Sequence, residues 1–198
     1  MLYRTKILNE SEVERTLASA VGATLIKRNT PDKYCYELLG YGSSFGGFAA
    51  EELDHEVDAS DHQRLTLSNA RTGYTYKEYR AGQSYGWHSD EVVSSDGLRL
   101  DVSTTLFLNN PDEYDGGELD LRFGDFCVSV KLPAGYAVIY PTGLLHRVQP
   151  VKSGIRKVIH WWDQSNIQNP FIRDSVIALD ASGNEKTDLY ISQLERFC

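Results

Sequence analysis

The stretch Leu98-Arg-Leu100-Asp-Val102-Ser-Thr104-Thr-Leu106-Phe-Leu108-Asn109 carries apolar side chains at almost all of its even positions and polar ones largely at odd positions. Successive side chains of an extended chain point to opposite faces, so a period of two describes a half-buried strand. Shorter runs repeat the theme. The spacing predicts strands near 74–80, 98–108, 118–123, 126–131, 135–140, 144–149 and 155–162. Pro111-Asp112, Asp115-Gly-Gly117, Pro133-Ala-Gly135, Pro141-Thr-Gly143 and the segment 150–154 punctuate them, so each proline in this region falls where no ladder donor is needed. Short strands at such spacing form a sandwich or barrel, and the chain reads as mainly β. The aromatic content, 12 Tyr against 7 Phe and 3 Trp, agrees, because polar-tipped rings suit a sheet better than a Leu-rich bundle.

Helices are expected on both flanks. Ser11 and Glu14 have the spacing of a capping box and Gly22 stands where a helix would stop, which predicts a helix over 12–21. Residues 30–60 are mixed, and the acidic run Glu51, Glu52, Asp54, Glu56 and Asp58 reads as a solvated loop or face. His55 and His62, in the same polar third, read as surface residues. After Asn169-Pro170 the pattern turns helical over 171–179 and 187–197.

A length of 198 residues fits one domain. Its barrel core is expected over 72–164, with mixed support over 1–71 and a helical extension over 165–198. Lys and Arg number 20 against 28 Asp and Glu, a net charge of −8, which disfavours a phosphate backbone as partner. The three cysteines Cys35, Cys127 and Cys198 show no CxxC or zinc spacing, so neither a disulfide framework nor a thiolate metal site is indicated. The first ten residues lack an apolar signal core, and no apolar stretch is long enough to span a bilayer. A soluble, cytoplasmic protein without a membrane partner is expected.

Chemistry enters with Trp87-His88-Ser89-Asp90. Residues i and i+2 of an extended segment share a face, so His88 and Asp90 can converge on one ion. By itself an HxD triplet is weak evidence. His146 lies further along, on a short predicted strand, and Arg156 follows ten residues later. Two histidines and a carboxylate compose the facial triad typical of non-haem Fe(II), and the planar fork of an arginine suits a carboxylate.

With these residues in order, the chain resembles the Fe(II)- and 2-oxoglutarate-dependent dioxygenases, in their prolyl and lysyl hydroxylase-like branch, prolyl 4-hydroxylase in type. The matching stretches are Tyr79-Arg-Ala-Gly-Gln-Ser-Tyr85-Gly-Trp-His88-Ser-Asp90, Leu106-Phe-Leu-Asn-Asn-Pro111, Tyr114-Asp-Gly-Gly-Glu-Leu119, Leu132-Pro-Ala-Gly-Tyr-Ala-Val-Ile-Tyr-Pro141, and the run from His146 to Arg156. The resemblance implies a double-stranded β-helix, jelly-roll or cupin-like, buttressed by helices from both termini. It implies Fe(II) on His88, Asp90 and His146, and 2-oxoglutarate between the iron and Arg156, with O2 as oxidant and ascorbate as a further cofactor. No catalytic side chain beyond the metal ligands is implied. Tyr79 matches a phenol that hydrogen-bonds the co-substrate in related enzymes, although a strand-core aromatic would sit there too. Phe107 replaces a second such tyrosine, and Trp162 stands where relatives often set a tryptophan against the co-substrate. Nucleic-acid demethylases of this fold carry a second arginine six residues after the first, where this chain has Trp162. Halogenases of the class lack the carboxylate that Asp90 supplies.

The resemblance implies oxidative decarboxylation to succinate and CO2 coupled to hydroxylation. Its peptide-binding members imply a proline-containing peptide or protein as substrate, with Tyr85, Trp87 and segment 91–97 bordering the barrel mouth. A free amino acid or other small metabolite is the alternative substrate on the same site. A non-catalytic β-helix module binding peptide or metal, and a zinc hydrolase, are the alternatives of other classes. Arg147 is expected on the opposite strand face from His146, in solvent or packing contact, and His160 as a packed or supporting histidine rather than a ligand. The sequence does not speak to oligomeric state.

Overall fold

The computed structural model describes residues 2–20, 26–29, 34–38 and 47–181. Its elements are, in order, β1 (Tyr3–Lys6), α1 (Glu10–Ala20), β2 (Ile26–Asn29), β3 (Tyr34–Leu38), α2 (Gly47–Ala59), α3 (His62–Thr66), β4 (Ser68–Arg71), β5 (Thr75–Arg80), β6 (Tyr85–His88), β7 (Val102–Phe107), β8 (Tyr114–Gly116), β9 (Leu119–Phe123), β10 (Phe126–Val130), β11 (Tyr136–Pro141), β12 (His146–Val148), β13 (Val151–Ser165) and α4 (Pro170–Asp180).

Strand β7, from the alternating stretch, sits in the middle of the larger sheet, whose order is β1-β11-β7-β13-β5-β3-β2, with β4 and β8 also pairing β13. The smaller sheet runs β10-β9-β12-β6. Both are antiparallel, and the strands roll into a double-stranded β-helix. All six residues of β7 are buried, so it is not the half-exposed strand the alternation predicts. Its even residues Val102 and Leu106 pack outward against helices, while Phe107 joins a core between the sheets. The polar odd residues Ser103 and Thr105 line a cavity there instead of meeting water. Polarity along this strand therefore marks the inner wall of a site.

The helices cover the outer face of the larger sheet. Val13 of α1 and Leu53 and Val57 of α2 pack with Tyr74, Tyr76, Leu106, Ile159 and Trp161, and Leu65 of α3 and Ile177 of α4 pack with Val102 and Ile139. The acidic run is the outer face of α2 rather than a loop, since Leu53 and Val57 between its acids are fully enclosed. The cap of α1 differs from the predicted box. Asn9, not Ser11, accepts from the Glu12 amide at 3.1 Å, while Glu12 accepts from the Asn9 amide at 2.6 Å; Ser11 instead donates to Asn9. The helix predicted over 187–197 lies outside the described residues.

His62 corrects a further expectation. The residue is fully buried, with Nε2 at 3.0 Å from the Thr104 hydroxyl and 3.4 Å from Asp163, and its ring tilts against Trp161. Packing of α3 against the sheet, which no local polarity pattern reveals, draws it inside. His55 is exposed. Among the described residues no helix is long and apolar enough to cross a membrane.

Candidate metal and co-substrate site

His88 closes β6 and His146 opens β12, and the antiparallel register sets the two directly opposite each other. Their rings lie 4.2 Å apart between centroids. Asp90, just past the end of β6, brings Oδ1 to 3.4 Å from His88 Nε2 and 3.7 Å from His146 Nε2. One donor atom from each of the three residues falls within 4.8 Å of the others. Each histidine directs Nδ1 at a backbone carbonyl two residues before it, Gly86 and Leu144, both at 2.8 Å. A carbonyl only accepts, so Nδ1 carries the proton and the Nε2 lone pair is left for the centre of the cluster.

Two interior side chains hold the aspartate. Trp162 Nε1 donates to Asp90 Oδ2 at 2.9 Å, and the Ser103 hydroxyl donates to the same oxygen at 3.3 Å. Burial alone would push the Asp90 carboxyl up. The neighbouring His88 and His146 and the indole N–H outweigh it, so the group stays an anion well below the usual carboxylate range. Burial pulls His146 down, against the attraction of Asp90, which favours the neutral imidazole a metal requires. Tyr85 stacks on His88 at 4.0 Å, and the edge of Tyr140 meets His146 at 5.4 Å.

Alternate residues of β13, Arg156, Val158, His160 and Trp162, line the same cavity. Cross-strand pairing arranges the wall in rows. Trp162 lies beside Ser103, His160 between Thr75 and Thr105, Val158 between Lys77 and Phe107, and Arg156 beside Tyr79. Arg156 is 1% exposed, with Cζ 5.2 Å from the Tyr79 ring and 5.3 Å from that of Phe107. Its Nε has no hydrogen-bond partner among the described residues. A buried cation with an unused donor is costly by itself, and an incoming carboxylate answers both the charge and the donor.

The structure thus brings together His88, Asp90, His146, Arg156, Tyr79, Tyr85 and Trp162 around one cavity. Trp87 does not join them. Its ring packs beneath the Arg147 guanidinium at 4.7 Å, and Arg147 in turn donates to Asp120 at 2.7 Å on the far side of the small sheet. A register shift in the β6–β12 pairing lets Tyr85 and His88 share the inner face, while the half-exposed Trp87 between them lines neither the cavity nor the cleft beside it. Ser103, Thr105, Tyr140 and Lys77 also line the cavity without having been singled out from sequence. Their signal was the polar half of each strand's alternation, which locally is indistinguishable from a solvent face.

Two nitrogens and one carboxylate oxygen converging from one side suit ferrous iron, with the remaining positions left for a chelating ligand. Arg156 at the other end, with its Nε open, suits the distal carboxylate of a keto diacid. The sequence profile of the 2OG-Fe(II) oxygenase superfamily matches residues 74–164, which contain all four groups. Residues 74–164 are a 2OG-Fe(II) oxygenase domain. The chain carrying this domain is 46% identical over 136 residues to a PKHD-type hydroxylase of Picosynechococcus sp., covering 68% of this chain and 62% of the relative. It is 44% identical over 114 residues to a PKHD-type hydroxylase of Xanthomonas euvesicatoria, covering 54% of this chain and 50% of the relative. It therefore spans little more than half the length of these curated relatives. A Pseudomonas putida prolyl-4-hydroxylase has the same fold at 19% identity, with a TM-score of 0.61 over 83% of this chain and 92% of that one. So does an alpha ketoglutarate dependent epimerase from nogalamycin biosynthesis, at 14% identity and a TM-score of 0.62 over 82% of this chain and 78% of that one. The oxygenase fold by itself does not choose a reaction.

Proposed function

We propose that the chain, acting as one domain, is an Fe(II)- and 2-oxoglutarate-dependent dioxygenase that hydroxylates prolyl residues of a peptide or protein, releasing succinate and CO2. The observation that carries the reading is the convergence of His88, Asp90 and His146 facing a buried Arg156 with an open donor across one cavity. Ferrous iron with 2-oxoglutarate supplies oxidative decarboxylation coupled to hydroxylation of a carbon. The chain's own residues do the rest. Gly86 and Leu144 fix the histidine tautomers through Nδ1, Trp162 and Ser103 keep Asp90 oriented and anionic, and Arg156 with Tyr79 receives the distal carboxylate. The enclosed aromatic wall of Tyr79, Phe107 and Tyr140 excludes water from the space between. No general acid or base is required.

A second cleft, lined by Thr72, Tyr85, Glu91, Ser94 and Leu100, opens beside His88 and Asp90, and this is the position for the substrate. The peptide reading draws support from the PKHD-type hydroxylase relatives and from a prolyl hydroxylase of Trichoplax adhaerens solved with a hypoxia inducible factor peptide fragment, which shares the fold at a TM-score of 0.58. Ascorbate as a further cofactor and a cytoplasmic location belong to the same reading.

The test is succinate formation from 2-oxoglutarate with Fe(II). Slow uncoupled turnover is expected without substrate, stimulation by proline-containing peptides, and a mass gain of one oxygen on the peptide. Stimulation by free amino acids but no peptide would transfer the function to small metabolites. Loss of all turnover is expected in His88→Ala and His146→Ala; full activity in either would refute the site.

A further inference from the structure

His160 lies on the cavity wall one row from the residues that hold Asp90, between Thr75 and Thr105. Its Nε2 is buried without a hydrogen-bond partner among the described residues, and its ring is fixed edge-on against Trp162 at 4.6 Å. Nothing in the metal-ligand set uses it. An unpartnered polar group in such a place loses its hydration without return, unless a ligand restores the bond. The rows around it read as a chemical template. His160, Thr75 and Thr105 make a polar row near the metal end. Val158 and Phe107 make the next row apolar on one side, with Lys77 across from Val158, and Arg156 with Tyr79 ends the series with a cation whose Cζ leans back to 5.3 Å from Phe107. A keto diacid has the same order: an anionic keto acid, two methylenes, then a distal carboxylate.

We infer that His160 is a co-substrate-binding residue, donating a ring N–H to the keto acid carboxylate of 2-oxoglutarate on the metal side of the cavity. This rests on the proposed co-substrate. A neutral imidazole has one donor nitrogen and one acceptor nitrogen, and the ligand selects the tautomer that donates to it. Burial, with Lys77 and Arg156 nearby, holds the ring well below its usual range despite Asp90, so it meets the anion as a neutral donor. Arg156 remains the residue that reads the distal end.

The test separates the two ends of the ligand. Dissociation constants of 2-oxoglutarate and of 2-oxobutyrate, which keeps the keto acid but lacks the distal carboxylate, are measured on anaerobic Fe(II) protein through the visible charge-transfer absorption of the chelate. His160→Phe is expected to weaken both ligands about tenfold, the size of a lost charge-assisted hydrogen bond. His160→Gln, which keeps a donor, should recover most of that loss, and Arg156→Ala should weaken 2-oxoglutarate alone. Unchanged binding of 2-oxobutyrate in His160→Phe overturns the inference. Absence of any 2-oxoglutarate binding by the unaltered protein would instead overturn the co-substrate itself. Should His160→Phe not fold, nitrogen NMR of the zinc-loaded unaltered protein decides: 2-oxobutyrate must shift the His160 ring resonances, and unmoved resonances reject the contact.

Discussion

Trp162 ties the interior of the large sheet to the proposed metal ligands through one indole N–H on Asp90. Its removal in Trp162→Phe keeps the packing but leaves only the longer Ser103 hydrogen bond on that carboxylate oxygen. Fe(II) affinity is expected to fall about tenfold, as for other partners of metal ligands, in an anaerobic metal titration. Arg156→Ala should raise the KM for 2-oxoglutarate at least about tenfold while leaving metal affinity unchanged, because in the proposed site the guanidinium stands rows away from the triad and receives only the distal carboxylate. An unchanged KM would remove Arg156 from the co-substrate site. His62 makes a purely structural counterpart. Enclosed against Thr104, Asp163 and Trp161, it leaves a buried acid with one partner fewer when truncated. His62→Ala should cost about 3 kcal/mol in urea unfolding, with KM for 2-oxoglutarate unaltered in whatever fraction stays folded.

Strand β13 is the element on which the site depends. It pairs β5 and β7 along its middle, β8 at its start and β4 at its end, so four strands fix the height at which Arg156, His160 and Trp162 face the cavity. The sequence marks only its middle, since a strand of 15 residues is invisible where its partners change. Gly135 plays a similar joining part at the start of β11. Its carbonyl accepts from the amides of Ile7 at 2.8 Å and Leu8 at 3.1 Å, and its own amide donates to Phe107 at 2.9 Å. Its φ is +83°, and an added Cβ would lie 2.1 Å from the Leu8 carbonyl oxygen. Gly135→Ala is therefore expected to destabilise the protein by about 2 kcal/mol or more in denaturant unfolding, from backbone conformation and clash together. On the small sheet, burial would raise Asp120, but Ser129, Gln149 and Arg147 bind its ionised form and hold it below the usual range. A depressed folded-state value gives stability that is complete above the unfolded value near 4 and is lost as pH falls through the folded one. The stability gap between the unaltered protein and Asp120→Asn should accordingly shrink from about pH 5 to about pH 3, and a constant gap would deny Asp120 that role.

Across the whole molecule, a ligand that binds only the rolled sheets stabilises all of them together. Fe(II), or Mn(II) as a redox-stable substitute, at about a hundredfold over its dissociation constant should add about 2.7 kcal/mol to unfolding, read as a higher Tm and abolished in His146→Ala. The net charge of −8 turns the molecule away from phosphate backbones, consistent with peptide as the proposed partner. Much of this was legible in the residues themselves. The period of two from Thr72 onward, the proline and glycine punctuation, the HxD triplet and the arginine ten residues after His146 are local properties, carried by neighbours along the chain; they led to a sandwich or barrel and, with the family resemblance, to its proposed metal chemistry. Where a side chain points once strands pair is another matter. The polar face of β7, the burial of His62 and the outward turn of Trp87 each depend on which element packs opposite, and local polarity reads the same against water as against a cavity. Side-chain chemistry and backbone period are determined within a few residues, so the sequence by itself determined the ligand chemistry available to the proposed site; the sheet registers, which join residues far apart in the chain, alone decided which groups meet.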